Sequence, residues 1–287
     1  MTGILIVDKP AGWTSQDVAA KLRGVYHERR VGHGGTLDPM ATGVLPVFLG
    51  RATRAVPFFE SAEKEYVAEI RFGLVTDTQD ITGSVLAERP GSVEPEKVRQ
   101  ALAAMTGPQL QVPPMYSAVK VGGKKLYELA RQGKEVERKA RPIELKKLEL
   151  LSCEGDRAVF RVRCTKGTYV RTVCHDLGQR LGCGGCMSNL RRTRAGVYTI
   201  DQTFTMEQIL AGEARLLPVD SLFSDCPAVI LTEVEERYCR NGNAFRRREL
   251  KDGLWRVYGQ DGTFLMLGRC ADGMLSTVKS FFEVGHE

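Results

Sequence analysis

Three Asp-Gly pairs late in the chain constrain its fold more than any other feature. Asp252-Gly253, Asp261-Gly262 and Asp272-Gly273 separate the apolar runs 254–258, 263–267 and 274–282. Asp-Gly suits a two-residue hairpin loop, because both positions tolerate the left-handed backbone that matches strand twist. The spacing predicts a small, mostly β module. A helix precedes it, capped by Thr232 with Glu235 and stopped at Gly242. The composition shifts around 218–227, so we expect two domains, 1–220 and 226–284.

Strand signals also dominate the longer first part. Residues 4–7 read as a short buried strand. From Glu65 onward, Tyr66, Ala68, Ile70 and Phe72 alternate with Glu65, Glu69 and Arg71. After a turn at Gly155-Asp156, Ala158, Phe160, Val162 and Cys164 alternate with Arg157, Arg161 and Arg163. Period two means one face in the core and one in water. Gly122-Gly123 marks a further hairpin, followed by a basic helix with Leu126 and Leu129.

Helical spacing recurs between these strands. Thr14 or Ser15 caps a helix through Val18, Leu22, Val25 and Tyr26, with Asp17 completing a capping-box pattern from Thr14. Val98, Leu102 and Met105 mark another over 94–105, and Thr205 with Gln208 opens a short one. A helix capped near Thr168 carries Val170, Val173, Cys174, Leu177 and Leu181 and ends at Gly182, with Tyr169 and Arg171 in its first turn. The mixture predicts an α+β fold. Residues 29–43 are too rich in glycine for regular structure and read as a long loop, where functional residues concentrate.

The composition, 43% hydrophobic and 26% charged, is that of a globular chain, and no apolar run is long enough for a transmembrane helix. The N-terminus lacks a signal-peptide core. Eight cysteines without a secretory signal read as reduced cytosolic thiols, so we expect a cytoplasmic protein. Cys183 and Cys186 form a CxxC near Cys174 and His175, but the spacing suits small apolar packing near a turn better than zinc, and no metal is expected.

The net charge of +6 conceals an asymmetry: 114–147 carries +6 and 161–194 carries +7, leaving −7 for the rest. Two such blocks point to a polyanion, since lysine and arginine release the counterions condensed on phosphates. A solvated basic face is the plainer reading; the tyrosines and glycines in both blocks favour nucleic acid.

Local motifs narrow the chemistry. The glycine-rich loop lacks a Gly-Lys-Ser/Thr ending, so it is no phosphate-binding loop, and no dinucleotide fingerprint occurs. With four histidines and no nucleophile elbow, a serine triad is poorly supported. What remains is Asp38 on the glycine-rich loop, although Asp before Pro is also a common turn former.

The segment Gly32-His33-Gly34-Gly35-Thr36-Leu37-Asp38-Pro39-Met40-Ala41-Thr42-Gly43 resembles the signature loop of bacterial tRNA pseudouridine-55 synthases. Further motifs match in order: Asp8-Lys9-Pro10 with Gly12; Lys64-Glu65-Tyr66; Thr76-Asp77-Thr78 with Asp80 and Gly83; and Pro113-Pro114-Met115-Tyr116-Ser117-Ala118 leading into Gly123-Lys124-Lys125-Leu126-Tyr127. Lys166-Gly167-Thr168-Tyr169-Val170-Arg171 and Leu190-Arg191-Arg192-Thr193 complete the set. The resemblance spans residues 3 to 200, and the tail resembles the RNA-binding PUA module appended to these enzymes. Gly185-Cys186 departs from the family's usual Ala-His and touches no carried-over catalytic residue.

The resemblance implies a mixed, mostly antiparallel sheet with flanking helices and a cleft across its middle, plus a β-barrel-like tail. It implies that Asp38 is the nucleophilic carboxylate and that Arg171 pairs with it. Burial disfavours an ionised carboxylate and an opposite charge restores it. Asp38 would add to C6 of the base or assist departure of uracil from C1′; the sequence leaves both open. Tyr66 matches the residue that stacks on the base, although a core aromatic fits the same pattern. Arg171 alone would equally suit a phosphate contact. Tyr169 and Leu190 match the walls of the uracil pocket, His33 the residue that fills the space left by the extruded uridine, and Lys9 a substrate-binding position. Flipping a nucleotide costs a few kcal/mol, and RNA loops expose bases that can be splayed out.

No cofactor is implied. The partner is tRNA: 114–147 would clamp the T-arm, 161–194 would line the cleft, and Arg246-Arg247-Arg248 would touch the acceptor side. A monomer without an obligate protein partner is expected. Two other readings stand beside the enzyme: a tRNA-remodelling chaperone without relevant chemistry, and the guide-directed synthase of archaea and eukaryotes, which needs protein partners. Asp38, Tyr66 and Arg171 together favour the enzyme over the first, and the 114–147 insertion argues against the second.

Overall fold

The computed structural model describes residues 1–282. Strand β1 (Gly3–Lys9) leads to helix α1 (Ser15–Val25), a short β2 (Val31–His33) and β3 (Thr42–Leu49). Helix α2 (Val56–Glu60) and β4 (Lys64–Phe72) follow, then the hairpin β5 (Leu74–Thr76) and β6 (Val85–Glu88). Next come α3 (Pro95–Met105) and β7 (Gly107–Gln111), and the basic segment with β8 (Lys120–Val121), β9 (Lys124–Lys125) and α4 (Leu126–Ala130). The long pair β10 (Arg141–Glu154) and β11 (Arg157–Cys164) precedes α5 (Val170–Arg180), β12 (Gly185–Ala195), β13 (Tyr198–Thr199) and α6 (Met206–Leu210).

The main sheet runs in the order β1-β3-β12-β4-β11-β10-β7, with β2 beside β3 and β13 beside β12. Its pairings are antiparallel except where β12 meets β3, through Arg191 with Thr42 and Arg192 with Gly43. That parallel contact fixes the centre of the molecule. It lays Tyr66 beside Arg192 and Ala68 beside Leu190 across β4 and β12, and brings the segment between β2 and β3 against them.

Alternation along β1 separates two cores. Leu5 and Val7 join the larger cluster, where Val18, Leu22, Val98, Leu102, Val173 and Leu177 of the helices pack on Ile70 and Phe160. Ile4 and Ile6 join a second cluster with Phe48, Phe59, Tyr198 and Phe223. The alternating residues of β4 and β11 are buried as their period predicts. Thr14 with Asp17, Thr205 with Gln208 and Thr232 with Glu235 form reciprocal capping boxes; such a cap stabilises a helix by about 1 kcal/mol.

A second, five-stranded sheet comprises β14 (Ala228–Ile230), β15 (Phe245–Arg246), β16 (Gly253–Tyr258), β17 (Phe264–Ala271) and β18 (Met274–Ser280), with helix α7 (Glu233–Arg240). Phe223, just before it, packs on Phe264 and Phe281 at centroid distances of 6.2 and 6.1 Å. Leu267 and Phe281 thus share a core with Ile4 and Phe48. Residues 283–284 of the expected tail domain lie outside the described residues.

Three local expectations are corrected. Asp261-Gly262 and Asp272-Gly273 join paired strands, but Asp252-Gly253 opens β16, and the strand before it pairs with β18. Asp252 instead accepts a hydrogen bond from the Asp272 backbone at 3.0 Å, bracing the neighbouring turn. Residues 29–43 are not wholly irregular, because Val31, Gly32 and His33 pair with β3. The N-cap of α5 is Tyr169; the Thr168 hydroxyl donates backwards to the Thr165 carbonyl and caps nothing.

Candidate active site

Asp38 projects from the connection between β2 and β3, and tight packing shapes that connection. A Cβ at Gly34 would lie 2.4 Å from the Phe59 ring, and the Gly34 amide donates to the Pro46 carbonyl at 2.8 Å. The buried Ser15 hydroxyl accepts from the Leu37 amide at 2.9 Å. The Ala41 amide donates to the Asp38 carbonyl at 3.0 Å, closing a four-residue turn with Pro39 at its second position. Asp38 is therefore a turn former, with its carboxylate left to face outward.

Lys9 braces this turn from below. Its ammonium is buried and donates to the carbonyls of Trp13, Pro10 and Pro39 at 2.6, 2.8 and 3.2 Å. Burial pulls its pKa down to about 8, with Asp38 opposing that pull. All three of its donors are spent on backbone carbonyls.

Arg171, in the first turn of α5, meets Asp38 from the other side. Its Nε lies 2.8 Å from Asp38 Oδ2 and its Nη2 3.4 Å from Oδ1, a two-pronged approach. The guanidinium also donates to the carbonyls of Tyr116 at 2.9 Å and Thr78 at 3.0 Å, and lies 3.7 Å from Asp80 Oδ2. The Arg171 side chain is 6% exposed, whereas that of Asp38 is 36% exposed. The cation is fixed inside and the carboxylate is offered at the surface.

Tyr66 and Leu190 are buried at the sheet centre, on the adjacent strands β4 and β12. Burial raises the Tyr66 pKa, countered by the neighbouring Arg192 and reinforced by Asp38. Arg192 is itself buried and held by the carbonyls of Val44 and Gly35 at 2.7 and 3.1 Å. His33 ends β2, its Nδ1 buried without a hydrogen-bond partner. Burial, then Arg192, lowers its pKa, so its neutral form is favoured. The backbone of Tyr169 is gripped by the side-chain amide of Gln111, which accepts from its amide at 2.8 Å and donates to its carbonyl at 3.1 Å.

Asp38 and Arg171 are thus in direct contact. Thr78, Asp80, Tyr116, Gln111 and Arg192 complete the site, and no role for them was read from the sequence. The signal for all of these but Gln111 lay in the motifs that contain them. Gln111 carried none. A cavity of about 420 Å³ lies nearby, between the β5–β6 hairpin and the basic segment, and Asp38 does not line it.

The basic blocks also need revision. In 161–194, Arg161 lies near Glu65 and Glu149, Arg163 pairs with Glu63, Arg191 with Asp8, and Arg192 is buried. Much of that +7 is neutralised internally. In 114–147, Lys120, Lys124, Arg131, Lys134, Lys139 and Arg141 are exposed. In the tail, Arg247 is tied to Glu235 and Glu249, each at 2.7 Å, whereas Arg246 and Arg248 are exposed.

All eight cysteines are free thiols. Among the described residues there is no group of three or more His, Cys, Asp or Glu side chains able to hold a metal. No helix among them is long and apolar enough to cross a membrane.

Comparison with known proteins follows the same order along the chain. Residues 23–170 match the TruB family pseudouridylate synthase N-terminal domain. Residues 171–224 match the tRNA pseudouridylate synthase B C-terminal domain, and 227–278 the pseudouridine synthase II TruB C-terminal domain. The chain is 46% identical over 280 residues to tRNA pseudouridine synthase B of Aromatoleum aromaticum, covering 96% of this chain and 91% of the relative. It is 44% identical over 277 residues to the protein of that name from Syntrophomonas wolfei, covering 93% of each. Among solved structures it resembles a chain of an H/ACA RNP bound to a substrate RNA containing 2′-deoxyuridine. That match has a TM-score of 0.75 at 25% identity, over 98% of this chain and 85% of the other.

Proposed function

The chain belongs to the TruB family of pseudouridylate synthases, and we propose that it isomerises the uridine at position 55 in the tRNA T-loop with Asp38 as the reacting carboxylate. Synthesis of pseudouridine in tRNA is the activity of this family. The position and the residue roles are our reading.

One observation carries the reading. A partly exposed carboxylate is met at 2.8 Å by a guanidinium that is almost wholly enclosed. A binder that only gripped RNA would have no use for an enclosed cation aimed at a partly open carboxylate. The reaction breaks the N1–C1′ bond, turns the uracil and joins its C5 to C1′, so atoms and electrons balance within one nucleotide. It requires a group that holds the detached base and its sugar in register. Asp38 does this either by adding to C6 or by assisting departure of the base from C1′, and Arg171 keeps its two oxygens oriented.

A stacked base exposes neither atom, so the nucleotide is extruded first. A neutral His33 is suited to occupy the vacated space, because it stacks without bringing charge into the RNA loop. Leu190 and Tyr169 wall the base, and Tyr66 stacks on it and helps to remove the C5 proton. The exposed cations of 114–147 hold the T-arm phosphates, and Arg246 with Arg248 reach the acceptor side. We read the catalytic unit as 1–220 and the tail, 226–284, as a PUA-like RNA-binding domain. Eight free thiols agree with a reducing compartment such as the cytoplasm.

The test is to incubate the purified protein, with chelator present, with an unmodified tRNA transcript and to map pseudouridine. Conversion of the T-loop uridine at position 55 is expected. Conversion elsewhere, or none, would overturn the assignment.

A further inference from the structure

Gln111 is the last residue of β7, the edge strand of the main sheet, and its side chain is buried. A buried amide is unfavourable by about 1–3 kcal/mol unless its groups are paired, whereas an apolar residue of similar shape avoids that penalty. Here both halves of the amide are used on one residue. The oxygen accepts from the Tyr169 amide at 2.8 Å and the nitrogen donates to the Tyr169 carbonyl at 3.1 Å. Two opposed hydrogen bonds to one residue fix both its position and its tilt.

Tyr169 is the N-cap of α5, and no side chain caps that helix end. Two residues later stands Arg171. The entry angle of α5 sets where that guanidinium points, and Gln111 sets the entry angle. Gln111 also pairs across the sheet with Arg141. The chain leaves the sheet at 111 and returns at 141, so Gln111 stands at the root of the basic segment. That segment touches the site again where Arg171 donates to the Tyr116 carbonyl.

We propose that Gln111 is a positioning residue for catalysis: by clamping the Tyr169 backbone it holds Arg171 in register with Asp38 and seats the Tyr169 wall of the uracil pocket. It touches neither the base nor the reacting carboxylate and acts through its neighbours. The inference rests on the roles given above to Asp38 and Arg171.

The experiment compares Gln111→Leu and Gln111→Glu with the parent protein on a T-arm RNA, by single turnover, RNA titration and thermal melting. Gln111→Leu removes both hydrogen bonds and should lower kcat about tenfold while KM stays within about twofold, since misplacing a catalytic group by a fraction of an ångström has costs of this order. Gln111→Glu keeps the acceptor for the Tyr169 amide and should fall about threefold. In an Arg171→Lys background, Gln111→Leu should add less than about twofold, because the two act on one interaction.

A folded Gln111→Leu with parental kcat, a loss confined to KM, or a full tenfold further loss in the Arg171→Lys background would overturn the proposal. Should Gln111→Leu fail to fold, parental kcat in Gln111→Glu overturns it and a fall with unchanged KM supports it. Substantial turnover by Asp38→Asn would instead defeat the underlying reading. An inactive Asp38→Asn beside a fully active Gln111→Leu would defeat this inference alone.

Discussion

Replacing Arg171 by methionine should destabilise the protein far more than replacing its partner Asp38 by asparagine. The asymmetry follows from burial. Arg171→Met removes a cation that is 6% exposed and leaves the Asp80 carboxylate, 7% exposed, with its nearest cation gone. It also strips a donor from the carbonyls of Thr78 and Tyr116. Breaking a buried pair by removing one partner costs about 3–5 kcal/mol. Asp38→Asn is milder on two counts. The Asp38 side chain is 36% exposed, so water screens the lost pairing, and Arg171 keeps Asp80 and both carbonyls. A pair this exposed contributes at most about 1 kcal/mol. Urea unfolding at neutral pH, followed by circular dichroism, reads both changes as shifts of the midpoint at constant slope. An Arg171→Met variant no less stable than Asp38→Asn would refute the described network.

Gly43 has φ +101°, and a Cβ there would lie 2.2 Å from the Arg192 carbonyl oxygen, so Gly43→Ala should cost about 2–4 kcal/mol and lower the melting temperature; an unchanged melt would count against the β3–β12 contact. Burial pulls Lys9 and Lys64 down to about 8 from 10.5, so on passing pH 8 the unfolded chain retains protons that the folded one has released. Stability should therefore rise between pH 8 and 9, by up to about 1.4 kcal/mol per unit for each lysine, and a flat or falling curve would contradict this. Above pH 9 the thiols of Cys164, Cys186 and Cys239, pushed up to about 11, act in the opposite sense. Alanine at Lys120, Lys124, Arg131 and Lys134 should weaken tRNA binding and flatten its salt dependence, roughly one unit of slope per lost phosphate contact; an unchanged slope would exclude this segment as the clamp.

The sequence revealed what repeats locally. Period-two burial exposed the strands holding Tyr66 and Phe160, and cap residues marked the starts of α1, α6 and α7. It could not reveal partners distant along the chain. The Asp38–Arg171 contact spans 133 residues, and only the family resemblance joined the two. The +7 of 161–194 misled for the same reason: Asp8, Glu63, Glu65 and Glu149, which lie against its arginines, all fall outside that window. Lys9 matched a motif, but its burial under the Asp38 turn depends on carbonyls of Pro10, Trp13 and Pro39, and side-chain identity carries no trace of backbone acceptors. Gln111 escaped notice because a lone glutamine in a strand reads as polar surface until Tyr169 is placed against it.

Catalysis depends most on the chemistry of a single oxygen pair, and single-turnover conversion of a T-arm RNA by Asp38→Asn isolates it. Asparagine preserves size and the fold but cannot act as a nucleophile. We expect pseudouridine formation to fall by on the order of 10³-fold or more, with RNA affinity within about twofold of the parent. Turnover within about tenfold of the parent would contradict the assignment of Asp38 as the reacting group.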